Sequence, residues 1–188
     1  MKYEEEYKKL HEKGHFGGNS LKEEYVEHIS ELVRTTASTS LLDYGCGKAI
    51  NYLKHKIHNR FGITDSGLFL YDPGVPQFSR LTKEGIDGVV CTDVIEHVPE
   101  EEIPNFLQTI FSKAEKFVFI TIHCGLAVKT FPDGTNVHVT VKEPKWWDEQ
   151  LKKYNVNNIK LGVRYVVPMR EELNPLKLTL KEARKYEI

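Results

Sequence analysis

The sequence predicts a doubly wound α/β fold: a mostly parallel sheet with helices on both faces and an antiparallel strand at its C-terminal end. Three observations predict it. Strand-like and helix-like stretches alternate along the 188 residues, the pattern that builds parallel sheets with covering helices. Phe117 to His123 is an almost unbroken apolar, β-branched run, as a strand buried on both faces requires. A glycine turn, Gly45-Cys46-Gly47, directly follows a short apolar strand.

Taken in order, Tyr3 to Lys13 has a helical pattern that stops at Gly14. A second helix, from about Ser20 to Val33, places Leu21, Tyr25, Ile29 and Leu32 on one face, and Ser20 and Glu23 have capping-box spacing. Ser40 to Tyr44 is the first strand, and a helix from about Ile50 to Asn59 follows the glycine turn. Gly67 to Tyr71 reads as the second strand and Ile86 to Cys91 as a third, buried one. Pro99 to Ser112 is helical, with Ile103, Phe106, Leu107 and Ile110 at helical spacing. Beyond Phe117 to His123, Glu143 to Tyr154 is a helix whose first turn suits Pro144. Ile159 to Val167 and Leu176 to Leu180 are expected to form a terminal strand pair, the antiparallel part of the sheet.

Length and composition predict one domain over 1–188, with an N-terminal helical segment (1–35) and a core (40–180). Apolar residues make up 40% of the chain, enough for a sizeable core. The formal net charge of −1 argues against a nucleic-acid or membrane surface. Three cysteines without a CxxC pair argue against a disulfide framework or a structural zinc site. The charged N-terminus has no signal-peptide core, and no apolar run approaches the ~20 residues that span a bilayer. A soluble, cytoplasmic protein is expected.

Ligands of such sheets bind beyond the carboxyl ends of the strands, near a topological switch point. Gly45 and Gly47 permit a tight turn and close backbone approach, and Asp43 ends the first strand with a carboxylate that suits a ligand ammonium. Asp72, in Leu70-Tyr71-Asp72-Pro73, suits the hydroxyls of a ribose or, more plainly, a turn before proline. Asp87 to Val98 leaves a buried strand for a polar cluster containing Asp93, Glu96 and His97.

In this order, Leu41-Leu42-Asp43-Tyr44-Gly45-Cys46-Gly47, Tyr71-Asp72-Pro73 and Cys91-Thr92-Asp93-Val94-Ile95-Glu96-His97 resemble three motifs of the class I S-adenosylmethionine-dependent methyltransferases. These are the glycine motif, the acidic ribose residue and the fourth-strand motif of that Rossmann-like family. The resemblance covers about Leu41 to Ile122. It implies S-adenosylmethionine as cofactor and S-adenosylhomocysteine as product. It also implies Asp43, Tyr44, Gly45, Cys46 and Gly47 around the methionine portion, Asp72 on the ribose and Pro73 near the adenine. Asp93 and Val94 would line the cofactor, and Phe16, within His15-Phe16-Gly17-Gly18-Asn19, would close over the methionine end. The third glycine of the usual pattern is Ala49 here, which is tolerable where that position serves helix–strand packing.

Methyl transfer needs alignment, and a base where the acceptor must lose a proton. Glu96, His97, His123 and His138 are the candidate catalytic residues, and no metal ligand is assigned. Asp93, Glu96 and His97, with His138 downstream, also resemble the divalent-metal cluster of small-RNA 3′-end 2′-O-methyltransferases. A Glu-His pair here is similar, too, to what small-molecule O-methyltransferases carry, and its plainest role is structural. The expected acceptor is a small molecule at oxygen or nitrogen. The alternatives are a metal-assisted RNA 2′-O-methyltransferase and a non-catalytic SAM-binding module. Trp146 and Trp147 suit a pocket wall or a helix anchor, and the turn-rich loop Lys129 to Asn136 suits a lid. So compact a chain leaves a shallow or open pocket, or one that a second subunit, as in a homodimer, or another partner completes.

Overall fold

In the computed structural model, residues 7, 9 and 21–168 are described. Five strands form one sheet in the order β2-β1-β3-β4-β5, and every pairing is parallel. They are β1 Leu41–Tyr44, β2 Leu68–Tyr71, β3 Ile86–Thr92, β4 Ala114–His123 and β5 Lys160–Val166. The helices are α1 Glu23–Thr35, α2 Ile50–Leu53, α3 Ile103–Lys113 and α4 Pro144–Tyr154. This α/β arrangement is compatible with a Rossmann-like fold. The chain steps from β1 to β2 on one side, then builds β3, β4 and β5 on the other. The switch point therefore lies between β1 and β3.

Successive strand residues point to opposite faces, so the apolar strands make two cores. Val89, Cys91, Val118 and Ile120 pack with Phe106, Leu107 and Ile110 of α3 and Trp147 and Leu151 of α4. Leu41, Val90, Phe117 and Phe119 pack with Tyr25 and Ile29 of α1 and with Tyr52 of α2. Gly88 lies opposite Phe117 in register, and a Cβ there would stand 2.2 Å from the Phe117 ring. Gly88→Ala is therefore expected to destabilise the fold by about 1–3 kcal/mol through overpacking, read as a lower denaturant midpoint at unchanged slope. An unchanged midpoint would contradict that packing.

The structure revises three expectations. β5 pairs parallel with β4, because the α4 crossover returns the chain to the starting end of the sheet; Leu176 to Leu180, expected to complete the antiparallel ending, lies outside the described residues. α2 ends at Leu53 instead of reaching Asn59. Lys56 is left-handed (φ 49°), which tucks His58 beneath Tyr52 with its Nε2 2.7 Å from Asp65. α1 opens at Glu23 with Lys22 as N-cap, so the capping box is not formed there, and Glu23 pairs with Arg60. Ser20 is outside the described residues, as is the predicted first helix except for Tyr7 and Lys9, which are helical. α3 begins at Ile103, after a 3-10 turn over Glu100–Glu102, with Pro104 in its first turn. Among the described residues, no helix is long and apolar enough to cross a membrane.

Candidate active site

Leu41 and Leu42 carry β1 into the middle of the sheet, and Asp43 goes in with them, only 2% exposed. Its Oδ1 is buried without a hydrogen-bond partner, as is the hydroxyl of Tyr52. Burial raises the Asp43 pKa to about 7; the nearby Tyr52 hydroxyl opposes the rise and Asp72 adds to it. Such a carboxyl becomes fully charged at neutral pH when a cation joins it. The chain then turns through Gly45 (φ 95°), Gly47 (φ 55°) and Ala49 (φ 52°). Glycine takes such angles freely. Ala49 adopts them at a cost of about 1–2 kcal/mol, and its buried methyl packs in the core beneath α1.

Two neighbours hold the turn. The Gly45 and Cys46 amides both donate to the Tyr71 carbonyl, at 2.7 and 3.0 Å. The Gly47 amide donates to Asp72 Oδ2 at 2.8 Å, and the Gly74 amide donates to Oδ1 at 2.8 Å. The acid expected at a ribose therefore also clamps the turn. Pro73 follows it at partial exposure. Tyr44 packs on Tyr71 and Phe106. The Cys46 thiol is buried, which pushes its pKa up.

The end of β3 reaches this turn through Val94: a Cβ on Gly45 would lie 2.4 Å from Val94 Cγ2. Beside it Asp93 is left-handed (φ 55°). Its amide donates to Thr121 Oγ1 at 2.9 Å, and that hydroxyl donates back to Asp93 Oδ1 at 2.9 Å. Glu96, in the 3-10 turn Ile95–His97, is 0% exposed. Its Oε1 accepts the His123 amide at 3.2 Å, while Oε2 is buried without a partner. Burial, reinforced by Asp93, raises its pKa to about 8.

Three imidazoles gather above Glu96. His97 and His138 have ring centroids 4.8 Å apart, and His123 and His138 5.3 Å apart. His97 Nδ1 lies 2.8 Å from the Val137 carbonyl, and His138 Nδ1 lies 2.7 Å from the Gly125 carbonyl. A carbonyl only accepts, so each Nδ1 carries the hydrogen and each Nε2 keeps its lone pair. His123 Nε2 stands 3.8 Å from Asp93 Oδ1. Burial lowers the pKa of His123 and of His138, which favours their neutral forms. The Asn136 side chain grips the Ala127 amide and carbonyl at 3.0 and 2.9 Å, and the Thr140 amide donates to the Glu96 carbonyl at 3.0 Å. These bonds fix the segment that carries His138.

The predicted residues thus fall into two adjoining groups: Asp43, Gly45, Cys46, Gly47 and Asp72 at the turn, and Asp93, Glu96, His97, His123 and His138 beyond β3 and β4, with Val94 between them. Phe16 and its neighbours lie outside the described residues. Trp147 is fully buried and anchors α4 to the sheet, whereas Trp146 carries the Lys142 ammonium 5.3 Å above its ring. In the expected lid, Phe131 is buried against the Tyr7 ring at 5.1 Å. Sequence reasoning missed Tyr52, Thr121, Asn136 and Tyr7, whose hydroxyl donates to the Val137 carbonyl at 2.7 Å. The one signal was Thr121, a hydroxyl inside an apolar strand two residues before His123. No family model matches the chain, and no curated protein matches it.

Proposed function

We propose that this chain is an S-adenosylmethionine-dependent methyltransferase that binds its cofactor beyond β1 and β3 and methylates oxygen or nitrogen of a small molecule. One observation carries the reading. Asp43 places a buried carboxylate oxygen, with the Tyr52 hydroxyl near it and no cation beside it among the described residues, next to a turn with two positive-φ glycines. A ligand bringing an ammonium group to a tight backbone approach fits that arrangement. The motif order around it resembles that of the class I family.

The cofactor supplies an electrophilic methyl group on a sulfonium, open to in-line displacement. Asp43 would hold the ammonium, and Asp72, which also fixes Gly47, would meet the ribose hydroxyls. Asp93 and Val94 would wall the methionine end. A neutral imidazole, best placed in His123 with Asp93 to stabilise its protonated form, would take the acceptor's proton.

The test is S-adenosylhomocysteine titration followed by transfer of labelled methyl to an acceptor panel. Binding with turnover supports the reading; binding without turnover leaves a SAM-binding module; no binding rejects both. A pH series adds a signature. The ammonium binds the carboxylate form of Asp43, so affinity is lost as pH falls below the pKa near 7. From about pH 5.5 to about pH 7.5 affinity should rise roughly 20-fold, and a flat profile would remove Asp43 from the site.

A further inference from the structure

We propose that Arg164 and Tyr25, with Lys22 at the rim, form a subsite for an anionic group of the methyl acceptor, a carboxylate or a phosphate. The inference rests on the methyl-transfer reading and names its substrate class: a small acid in place of a neutral or cationic molecule.

Arg164 comes from the edge strand β5, in register with Thr121 of β4. Register partners point to the same face of a sheet, here the face that α1 covers, and the guanidinium meets the His28 ring on that helix. The side chain is 8% exposed, and the His28 ring is the one hydrogen-bond partner of its guanidinium among the described residues. His28 gives its Nδ1–H to the Glu24 carbonyl at 2.7 Å and offers Nε2 to the guanidinium. It therefore accepts a hydrogen bond but brings no negative charge. A guanidinium has five N–H donors, and burying one without a counter-ion is costly.

Tyr25 supplies an independent observation. One turn before His28 on α1, it is fully buried, and its ring centroid lies 6.0 Å from that of Phe119. Its hydroxyl is buried without a hydrogen-bond partner, although buried tyrosine hydroxyls ordinarily find one. Burial raises the Tyr25 pKa; the Asp93 charge adds to the rise and the Arg164 charge opposes it, so both groups lie within reach of the hydroxyl. Lys22 Nζ stands 5.5 Å above the same ring, and its charge adds to the burial that disfavours protonated His123.

A guanidinium without a carboxylate, an unpaired hydroxyl and a rim ammonium thus gather beside Asp93 and His123, the pair proposed to take the acceptor's proton. An oxyacid answers all three. Its two oxygens match the planar guanidinium, one of them accepts the Tyr25 O–H, and Lys22 adds charge from the solvent side. A neutral amide would leave the guanidinium without its counter-charge, and an amine would be repelled.

The experiment uses the full chain without cofactor. The His123 ring signals are followed by NMR as inorganic phosphate or, in a parallel titration, acetate is added at constant pH and ionic strength. A saturable shift is expected, and the tighter of the two ions tells a phosphorylated acceptor from a carboxylated one. The midpoint should rise about tenfold or more in R164M, about threefold in Y25F, and less than about twofold in K54Q, an exposed cation after α2. Y25F removes only an unpaired hydroxyl and should melt no lower than the parent, so it carries the test if R164M fails to fold. No saturable shift, a midpoint unchanged in Y25F, or an equal rise in K54Q, the mark of an adventitious ion only, would overturn the subsite. S-adenosylhomocysteine binding without anion binding would remove the subsite and leave the methyltransferase reading. Anion binding without S-adenosylhomocysteine binding would sustain the anion site and remove its role toward a methyl acceptor.

Discussion

Asp43→Asn is expected to weaken S-adenosylmethionine binding by about a hundredfold, while the cofactor-free protein melts at the same temperature or higher at pH 8. Both effects come from one buried carboxylate. Its Oδ1 lacks a partner, and its pKa sits near 7 because the interior opposes its charge. With an unfolded value near 3.8, the folded state holds the extra proton between the two values. Stability therefore falls as pH rises through that window and stays low above it. Asparagine removes the charge and its cost. It also removes the partner of the ligand ammonium, and losing one member of a buried charge pair costs about 3 kcal/mol or more, roughly a hundredfold in affinity. Thermal melts and titrations of the two proteins decide the point. A D43N protein that binds as tightly as the parent would show that the carboxylate does not meet the cofactor. One that melts lower at pH 8 would show that its charge serves the fold.

Gly45→Ala should cost both stability and binding. The residue sits at φ 95°, which strains any side chain, and its Cβ would press within 2.4 Å of Val94 Cγ2. Valine has little rotamer freedom to retreat, so the added methyl must move the turn or the Asp93-Val94 segment. Strain and overpacking together amount to about 2–5 kcal/mol. Gly62→Ala separates the two causes, because Gly62 is also left-handed (φ 82°) but has open space around it. It should lose only the strain, about 1–2 kcal/mol, and retain cofactor binding. Equal losses in the two variants would mean that the Val94 contact contributes nothing.

The sheet was legible where burial alone dictates the residue types. β3 and β4 carry apolar, β-branched residues on both faces, β1 opens with two buried leucines, and each lies within a few residues of the bounds its sequence predicts. Ile159 to Val167 also reads as a strand, and β5 spans Lys160–Val166; its polarity follows from the path of the α4 crossover and not from its residue types. The break after Leu53 escaped notice because it rests on a long-range preference: His58 is buried beneath Tyr52 and bonded to Asp65, and the helical pattern gave way to that contact.

At the site, the spacing of Asp93, Glu96 and His97 could be read along the chain, but their division of labour could not. Thr121 draws Asp93 aside, and the segment 136–140 swings His138 over Glu96. The tautomers of His97 and His138 depend on two backbone carbonyls, which any residue supplies and no motif announces. Asp72 shows the same limit. Its place after β2 suited a ribose, yet only the folded chain reveals that it also holds the Gly47 amide.

The central claim, cofactor binding at the turn between β1 and β3, is tested most directly by calorimetric titration of the full chain with S-adenosylhomocysteine at about pH 7.5, with D43N run beside it. One site per chain is expected in the parent, with about a hundredfold weaker binding in the variant. No heat of binding in the parent, or equal affinity in the two proteins, would contradict it.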